Sequence, residues 1–157
     1  MVNINSTTRL LSIKTQVVLT QTDTTVGFLS QNERKLQKIK SRDSSKPFIK
    51  VYKSFQALKA DYVRIPNRQK QRVRRAKKTT FIVKNSAFRV ASDTLDSSIL
   101  RACSWNYSTS ANASGKNFDL EFCEQKTDII VQDNLGLFEG ASSSLYKINN
   151  KKRKRLR

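Results

Sequence analysis

Short segments rich in β-branched and aromatic residues recur along the chain and predict the strands of a sheet. Polar turns that contain Thr, Ser, Asn or Gly separate many of them. The predicted strands cover residues 17–19, 48–52, 79–83, 88–90, 105–107, 129–131 and 145–148. A polar turn, Thr-Asp-Thr-Thr at residues 22–25, follows the first strand.

Between these segments the sequence predicts four helices. The first is expected to follow the 22–25 turn, to begin with Ser30 and Glu33 in capping-box spacing, and to end at Lys40 and Arg42. The starting residues predicted for the other three are Ser54, Pro66 and Asp93. Helices and strands alternate throughout, which predicts an α/β domain with a central sheet.

The length of 157 residues suits a single domain, expected over residues 1–150, followed by a basic segment at 151–157. Lys and Arg outnumber Asp and Glu by 31 to 12, so the formal net charge is +19. Residues 64–78 hold eight basic side chains and no acidic one, and the last seven residues hold six more. Such a surplus predicts attraction to polyanions, whether nucleic acid, nucleotide phosphates or an anionic surface.

Several functional classes are excluded or disfavoured by composition. The chain contains no histidine, which rules out Ser-His and Cys-His mechanisms and His-ligated metal sites. Cys103 and Cys123 match no metal-ligand or redox spacing, so we expect reduced structural thiols, with a disulfide or a catalytic thiol as less favoured alternatives. No apolar run could span a bilayer and no leader pattern is visible, so we expect a cytoplasmic protein without membrane contact.

Two polar segments far apart in the chain carry the chemistry of a polyphosphate site. Lys40, Arg42 and Lys46 place three cations around the end of the first predicted helix, although a solvated basic helix end would look the same. Residues 108–115, Ser-Thr-Ser-Ala-Asn-Ala-Ser-Gly, put short polar side chains at a strand end, although an ordinary loop could also have this composition. No GxxxxGK[ST] or GxGxxG motif is present.

Taken in order along the chain, these and neighbouring segments resemble the YrdC-like family of threonylcarbamoyl-adenylate synthases. Residues 108–115 reproduce the S-T-S-A-N-x-S-G signature, and residues 40–42 are similar to the K-x-R motif. Weaker similarities cover residues 22–28, 46–49, 79–83, 88–90, 140–144 and 156–157. The sequence departs from the family pattern at Gln21, Val26, Asp43, Lys147 and residues 75–78.

The resemblance implies a single α/β domain with a twisted, mixed sheet flanked by helices and a concave, positively charged face. It also implies a reaction that joins L-threonine, bicarbonate and ATP into threonylcarbamoyl-AMP and pyrophosphate, with Mg²⁺ bound through the phosphates of ATP. The intermediate would serve the modification of adenosine 37 in tRNA. Other tRNA threonylcarbamoylation proteins, and RNA or tRNA itself, are the implied partners.

The resemblance also assigns roles to individual residues. Lys40 and Arg42 are the implied catalytic residues, which need to supply position and charge rather than a nucleophile. The residues implied in ATP binding are Lys40, Arg42, Lys46, Ser110, Asn112 and Arg157. The residues implied in threonine binding are Thr22, Arg89, Ser108 and Ser143. No metal-binding side chain is predicted.

Two alternatives to the synthase remain at the level of sequence. A non-catalytic, basic relative with the same fold would bind RNA through its charge alone. A relative of the YrdC-like domain in hydrogenase maturation proteins would transfer a different carbamoyl group, although the acyl-phosphatase and zinc-finger regions that accompany that domain are missing from this sequence.

Overall fold

A mixed, twisted sheet forms the centre of the computed structural model, which describes residues 13–41, 47–91 and 95–157. Nine strands of the described residues pair in the order β7-β1-β2-β6-β3-β5-β4-β8-β9. They are β1 Val18–Gln21, β2 Val26–Ser30, β3 Ile49–Tyr52, β4 Thr79–Val83, β5 Ser86–Val90, β6 Trp105–Ser110, β7 Ile129–Val131, β8 Ser144–Ile148 and β9 Arg153–Arg155. The pairs β1–β7, β3–β5 and β4–β8 are parallel, and the other pairs are antiparallel.

Helices flank this sheet, as the sequence predicts. They are α1 Glu33–Lys40, α2 Phe55–Ala60, α3 Lys70–Arg75, α4 Leu95–Cys103 and α5 Leu120–Lys126, and a short 3-10 helix, Asn67–Gln69, precedes α3. The single α/β domain with a mixed sheet is therefore confirmed. None of the helices in the described ranges is long and apolar enough to cross a membrane.

The helix starts confirm one capping prediction and correct another. Ser54 caps α2, because its side chain accepts a hydrogen bond from the backbone N–H of Ala57 at 3.1 Å. The capping box predicted at Ser30 is wrong: Asn32 caps α1, and Ser30 is the last residue of β2. The Ser30 Oγ instead accepts a hydrogen bond from the backbone N–H of Asn32 at 3.0 Å, one step before the helix.

The other helix boundaries follow the prediction where they can be compared. Helix α1 ends at Lys40, and Ser41 adopts the left-handed conformation with φ of 44° at its C-cap. Pro66 precedes the 3-10 helix and α3, so the basic segment does form a helix after the proline. Arg42 and Asp93 lie outside the described residues.

The two faces of the sheet have different coverings. Paired residues of neighbouring strands share a face, and consecutive residues of one strand alternate between faces. On one face, α1 and α5 pack through Leu36 and Cys123 against Phe28 of β2 and its neighbours. At the other end of that same face, α2 and α3 cover Phe81 and Phe88 through side chains that include Val73. We call this side the core face.

The opposite side, which we call the site face, carries Gly27, Ser108, Ile49 and Arg89 on paired strands. Helix α4 contacts β1 and β6, and residues of β2, β5 and β6 on this face line a cavity.

Both cysteines are buried and free, which confirms the expectation of structural thiols. Burial raises the pKa of Cys103 and of Cys123, so little thiolate exists at neutral pH.

A polar cluster joins α2 to the sheet. The Asp61 carboxylate accepts hydrogen bonds from Lys50 Nζ at 2.7 Å and from the Tyr52 hydroxyl at 2.5 Å. The Lys50 ammonium also lies 3.9 Å from the centre of the Trp105 ring. Burial alone would raise the pKa of Asp61, but the hydrogen bonds and the charge of Lys50 outweigh it and lower the net pKa.

This cluster predicts a pH dependence of stability. A carboxyl group with a lowered pKa in the folded state stabilises the protein above its unfolded pKa of about 4, and this contribution is lost as the pH falls below that value. Asp61→Asn should therefore flatten the decline in the free energy of unfolding between neutral and strongly acidic pH. Urea titrations across that range would measure it.

The matched control is Glu139→Gln at an exposed carboxylate. A decline that is equally steep in the Asp61→Asn protein and in the parent would contradict the stabilising role of the Asp61 cluster.

Candidate functional site

A cavity of about 220 Å³ opens on the site face of the sheet. It is built at the ends of β1, β2 and β6 and is closed from the side by β5 and by residues next to β8. Six predicted site residues line it: Thr22, Arg89, Ser108, Ser110, Ser143 and Arg157. Lys40 and Asn112 lie beside it through contacts with Ser110, whereas Arg42 and Lys46 lie outside the described residues.

The Lys40 ammonium joins the two polar segments that the sequence singled out. Its Nζ donates to the backbone oxygens of Ser110 at 3.0 Å and Asn112 at 2.6 Å, and to Asn112 Oδ1 at 2.6 Å. Only 7% of the Lys40 surface is exposed, so the charge is buried and needs such acceptors. The end of α1 is thereby held against the end of β6.

The Asn112 amide makes further contacts that shape this turn. Its Oδ1 accepts a hydrogen bond from Ser110 Oγ at 2.7 Å, and its Nδ2 donates to the backbone oxygen of Lys116. The turn that the Ser/Asn/Gly segment predicts is therefore an ordered structure organised around one amide. Ser110 lines the cavity at an edge that we call its mouth, and Asn112 is hydrogen-bonded to Ser110 there.

The 22–25 turn forms one wall and is organised by Thr22. The Thr22 hydroxyl donates to the backbone oxygen of Thr25 at 2.7 Å and accepts from the N–H groups of Thr24 at 3.2 Å and Thr25 at 3.3 Å. A hydroxyl that bonds its own turn in this way stabilises the turn locally. Thr22 is 7% exposed and lines the cavity.

A buried ion pair lies directly behind this turn. The Arg89 guanidinium is 3.1 Å from Asp23 Oδ1, and the two side chains are only 5% and 0% exposed. Arg89 Nη1 also donates to Thr24 Oγ1 at 3.1 Å. The Arg89 Nε–H is buried and has no hydrogen-bond partner among the described residues, so one donor of this guanidinium is unused.

The wall on the far side comes from β4, β8 and the C-terminal residues. Ser143 Oγ forms a buried hydrogen bond with Thr80 Oγ1 at 2.8 Å. Arg157 Nε donates to the backbone oxygen of Ser143 at 3.1 Å, and the Arg157 backbone pairs with Leu145. The basic C-terminal segment thus packs on the sheet and brings Arg157 to the cavity.

Two glycines allow backbone segments to approach each other here. A Cβ on Gly140 would lie 2.1 Å from the backbone oxygen of Thr24, so only glycine fits beside the turn. A Cβ on Gly27 would lie 3.0 Å from the backbone oxygen of Thr109 and 3.1 Å from Thr22 Cγ2. Both glycines keep the wall of the cavity closely packed.

Three residues that the structure places in or behind the walls have no role predicted from the sequence. Asp23 pairs with Arg89, Thr24 accepts a hydrogen bond from it, and Thr80 bonds to Ser143. All three lie in segments that resemble the family, and this resemblance is the signal that could have identified them. Their partners are at least 63 positions away in the chain, so local pattern could not identify them.

No group of three or more Asp, Glu, Cys or His side chains in the described ranges could hold a metal ion. The hydroxyls, amides and guanidinium groups at the cavity are suited to bind an anionic or zwitterionic organic molecule.

The family model for Sua5, YciO and YrdC proteins, described as telomere recombination, matches residues 13–157. This chain belongs to the Sua5/YciO/YrdC family. A comparison with curated proteins found no match.

Solved structures show the same fold. A variant of Sua5 from P. abyssi has a TM-score of 0.80 and 18% identity, with 96% of this chain and 52% of that chain covered. P. abyssi Sua5 complexed with L-threonine has a TM-score of 0.77 and 17% identity, with coverages of 99% and 55%. E. coli YciO has a TM-score of 0.72 and 15% identity, with coverages of 99% and 90%. The chain spans about half the length of the Sua5 chains.

Two departures from the Sua5/YciO/YrdC pattern have structural roles. Gln21 Oε1 accepts a hydrogen bond from the backbone N–H of Phe138 at 3.0 Å, which ties the segment before β8 to the end of β1. Val26 is 1% exposed and packs in the core, on the opposite side of β2 from the cavity-lining Gly27. The change at Val26 therefore alters packing behind the cavity and not its lining.

The buried position of Lys40 predicts a role in stability. Lys40→Met keeps most of the side-chain volume but leaves buried oxygen acceptors without their donor, which should cost about 1–3 kcal/mol. Lys38→Met, at an exposed lysine of the same helix, should change stability by less than about 0.5 kcal/mol. Urea denaturation of the two variants measures the difference, and equal effects would show that the Lys40 contacts do not stabilise the fold.

Proposed function

We propose that this protein is an L-threonylcarbamoyladenylate synthase. It would join L-threonine, bicarbonate and ATP into threonylcarbamoyl-AMP and pyrophosphate, and the product would supply the t6A modification at position 37 of tRNA. The observation that carries the proposal is the cavity that gathers Thr22, Arg89, Ser108 and Ser143, with Lys40, Ser110 and Asn112 at its mouth. A family member with this fold, P. abyssi Sua5, has been crystallised with L-threonine.

The size of the cavity favours threonine as its occupant. Its volume of about 220 Å³ is below the roughly 300–1,000 Å³ of pockets that enclose drug-sized ligands. A small amino acid therefore fits inside, whereas a nucleotide must extend beyond the mouth. Ser110 and Asn112 stand where such a nucleotide would leave the cavity.

The polar groups of the cavity match those of the amino acid. The Arg89 guanidinium is the proposed partner of the threonine carboxylate, since it retains a donor after binding Asp23 and Thr24. Hydroxyls of Ser108 and Ser143 can accept from the ammonium or bond the threonine hydroxyl. The Thr22 hydroxyl is fully used within its own turn, so Thr22 would contact threonine by shaping the cavity wall. Asp23 would act as a positioning residue, because it holds the Arg89 side chain in place.

The phosphates of ATP would bind at the mouth of the cavity. Lys40, Arg42, Lys46 and Arg157 are the proposed cationic contacts, and Ser110 and Asn112 are the proposed neutral ones. Because the three N–H donors of Lys40 are matched by three acceptors in this structure, Lys40 must exchange one of them to touch a phosphate. Lys40 would otherwise act by positioning Ser110 and Asn112 and by its charge.

The proposed reaction needs no protein nucleophile. The threonine amine adds to CO₂ derived from bicarbonate, and an oxygen of the resulting carbamate attacks the α-phosphorus of ATP as pyrophosphate leaves. The contribution of the protein is to hold the two reactants in line and to place positive charge where the leaving group develops negative charge. Mg²⁺ bound through the phosphates would neutralise part of that charge.

Pyrophosphate release tests the proposal directly. The purified protein, incubated with Mg²⁺, ATP, bicarbonate and L-threonine, should release pyrophosphate only when all three substrates are present. Serine in place of threonine tests whether the methyl group is recognised. Release without threonine, or no release at high protein concentration, would contradict the synthase assignment.

Ser108→Ala tests the proposed threonine contact. Ser108 lines the cavity, and its loss should raise the KM for threonine about tenfold, the value expected when a hydrogen bond to a charged group is lost. The matched control is Ser86→Ala, because Ser86 is an exposed serine of β5 that does not line the cavity. An unchanged KM for threonine in Ser108→Ala, or the same increase in both variants, would place threonine elsewhere.

A further inference from the structure

Two basic segments that are far apart in the sequence meet at one edge of the sheet. Helix α3 and the preceding 3-10 helix contribute Arg68, Arg72 and Arg75, and the edge strand β9 contributes Arg153. Together they line a groove of about 450 Å³, which we call the arginine groove. Its remaining lining includes Phe81 and Tyr146 on the neighbouring strands.

The positive charge of the arginine groove has no acidic counterpart nearby in sequence. Residues 62–92 and 140–157, which supply the groove, contain no Asp or Glu. The three ion pairs of the described residues are Lys35–Asp128, Lys50–Asp61 and Arg89–Asp23, and none involves a groove arginine. Four guanidinium groups of like charge around one depression repel each other, so an anion that binds there relieves this repulsion.

The arginines are also held in an orderly arrangement. Arg68, Arg72 and Arg75 are spaced by four and three residues, which places them along one side of the helical segment. Arg72 Nη1 donates to Gln69 Oε1 at 2.8 Å, and the Arg153 guanidinium lies 4.7 Å from the centre of the Tyr146 ring. Such contacts reduce the freedom of these two long side chains.

Protection of a sheet edge accounts for only part of this arrangement. Charged residues on an edge strand prevent pairing with other chains, and this explains why β9 is basic. It does not explain why the 3-10 helix and α3, which are not strands, contribute three arginines to the same groove. A concave, arginine-lined surface has the charge and the forked donors that match successive phosphates.

We propose that the arginine groove binds the phosphate backbone of RNA. The charge and shape of the groove favour a polyphosphate chain, and the choice of RNA as its source rests on the proposed function in tRNA modification. Binding through the backbone would be independent of sequence and strongly dependent on salt.

The arginine groove and the cavity lie on opposite sides of the sheet. Thr80 contacts Ser143 at the cavity wall, whereas Phe81, the next residue of β4, lines the groove. Consecutive strand residues point to opposite faces. RNA in the groove would therefore leave the cavity open, so the protein could hold RNA and its small substrates at once.

The test compares two triple variants that lose the same charge. The groove variant is Arg72→Gln, Arg75→Gln and Arg153→Gln. The control is Arg34→Gln, Lys38→Gln and Lys126→Gln, at exposed residues of α1 and α5, which pack at the other end of the sheet. Fluorescence anisotropy with a labelled RNA stem-loop, measured over a series of salt concentrations, gives the affinity and its salt slope. Thermal unfolding checks that both variants are folded.

The slope of log affinity against log salt should fall by about two to three in the groove variant, or roughly one for each lost phosphate contact. The control should keep nearly the parental slope. ATP and threonine should not displace the RNA. Equal losses in both variants, or displacement by ATP, would overturn the assignment of RNA to the groove. If poly-glutamate or anionic lipid vesicles displace the labelled RNA as well as unlabelled RNA does, the groove would be assigned to another anion.

Pyrophosphate release separates this inference from the proposed function. The groove variant should retain the parental rate of pyrophosphate release, because its substitutions lie on the face away from the cavity. If the parent protein releases no pyrophosphate yet loses RNA affinity only in the groove variant, the synthase proposal fails and the groove proposal holds. If the parent releases pyrophosphate but both triple variants bind RNA equally well, only the groove proposal fails.

Discussion

The buried ammonium of Lys40 sets a constraint on which the arrangement of the site depends. A charge that is almost excluded from water is tolerable only when acceptors converge on it, and here three oxygens of Ser110 and Asn112 do so. The end of α1 must therefore lie against the end of β6. Since β6 pairs with both β2 and β3, this contact also orients the polar turn relative to the strands that form the cavity.

Because side chains alternate along each strand, the two faces of the sheet carry different residues and features. On β6, Ser108 and Ser110 line the cavity while Tyr107 packs with the core, so one strand supplies both the cavity lining and the packing behind it. The same alternation on β4 separates Thr80 at the cavity from Phe81 at the arginine groove. Because the arginine groove and the cavity lie on opposite faces, the positive charge of the chain is not concentrated at one site.

Much of the fold could be predicted from local pattern, and the errors have physical causes. Every predicted strand overlaps an observed one, because short β-branched and aromatic segments are bounded by turns. The sequence pattern does not predict β2, because its five residues are all buried and show no alternation, nor β9, because Arg-Lys-Arg contains no apolar residue. Helix α5, capped by Asp119, was also missed. Ser30 and Asn32 are both good caps, and local sequence could not rank them.

By itself, the sequence determined the fold class, the family and most of the side chains now found around the cavity, because these follow from local periodicity and short ordered motifs. Only the tertiary structure decided which of them meet. Burial of a charge joins Lys40 to Asn112 across 72 positions, and it joins Arg89 to Asp23 behind the 22–25 turn. The meeting of α3 with β9 likewise depends on strand order, which pairs β8 with both β4 and β9. Contacts between distant segments are set by packing and electrostatics in three dimensions, and no local pattern encodes them.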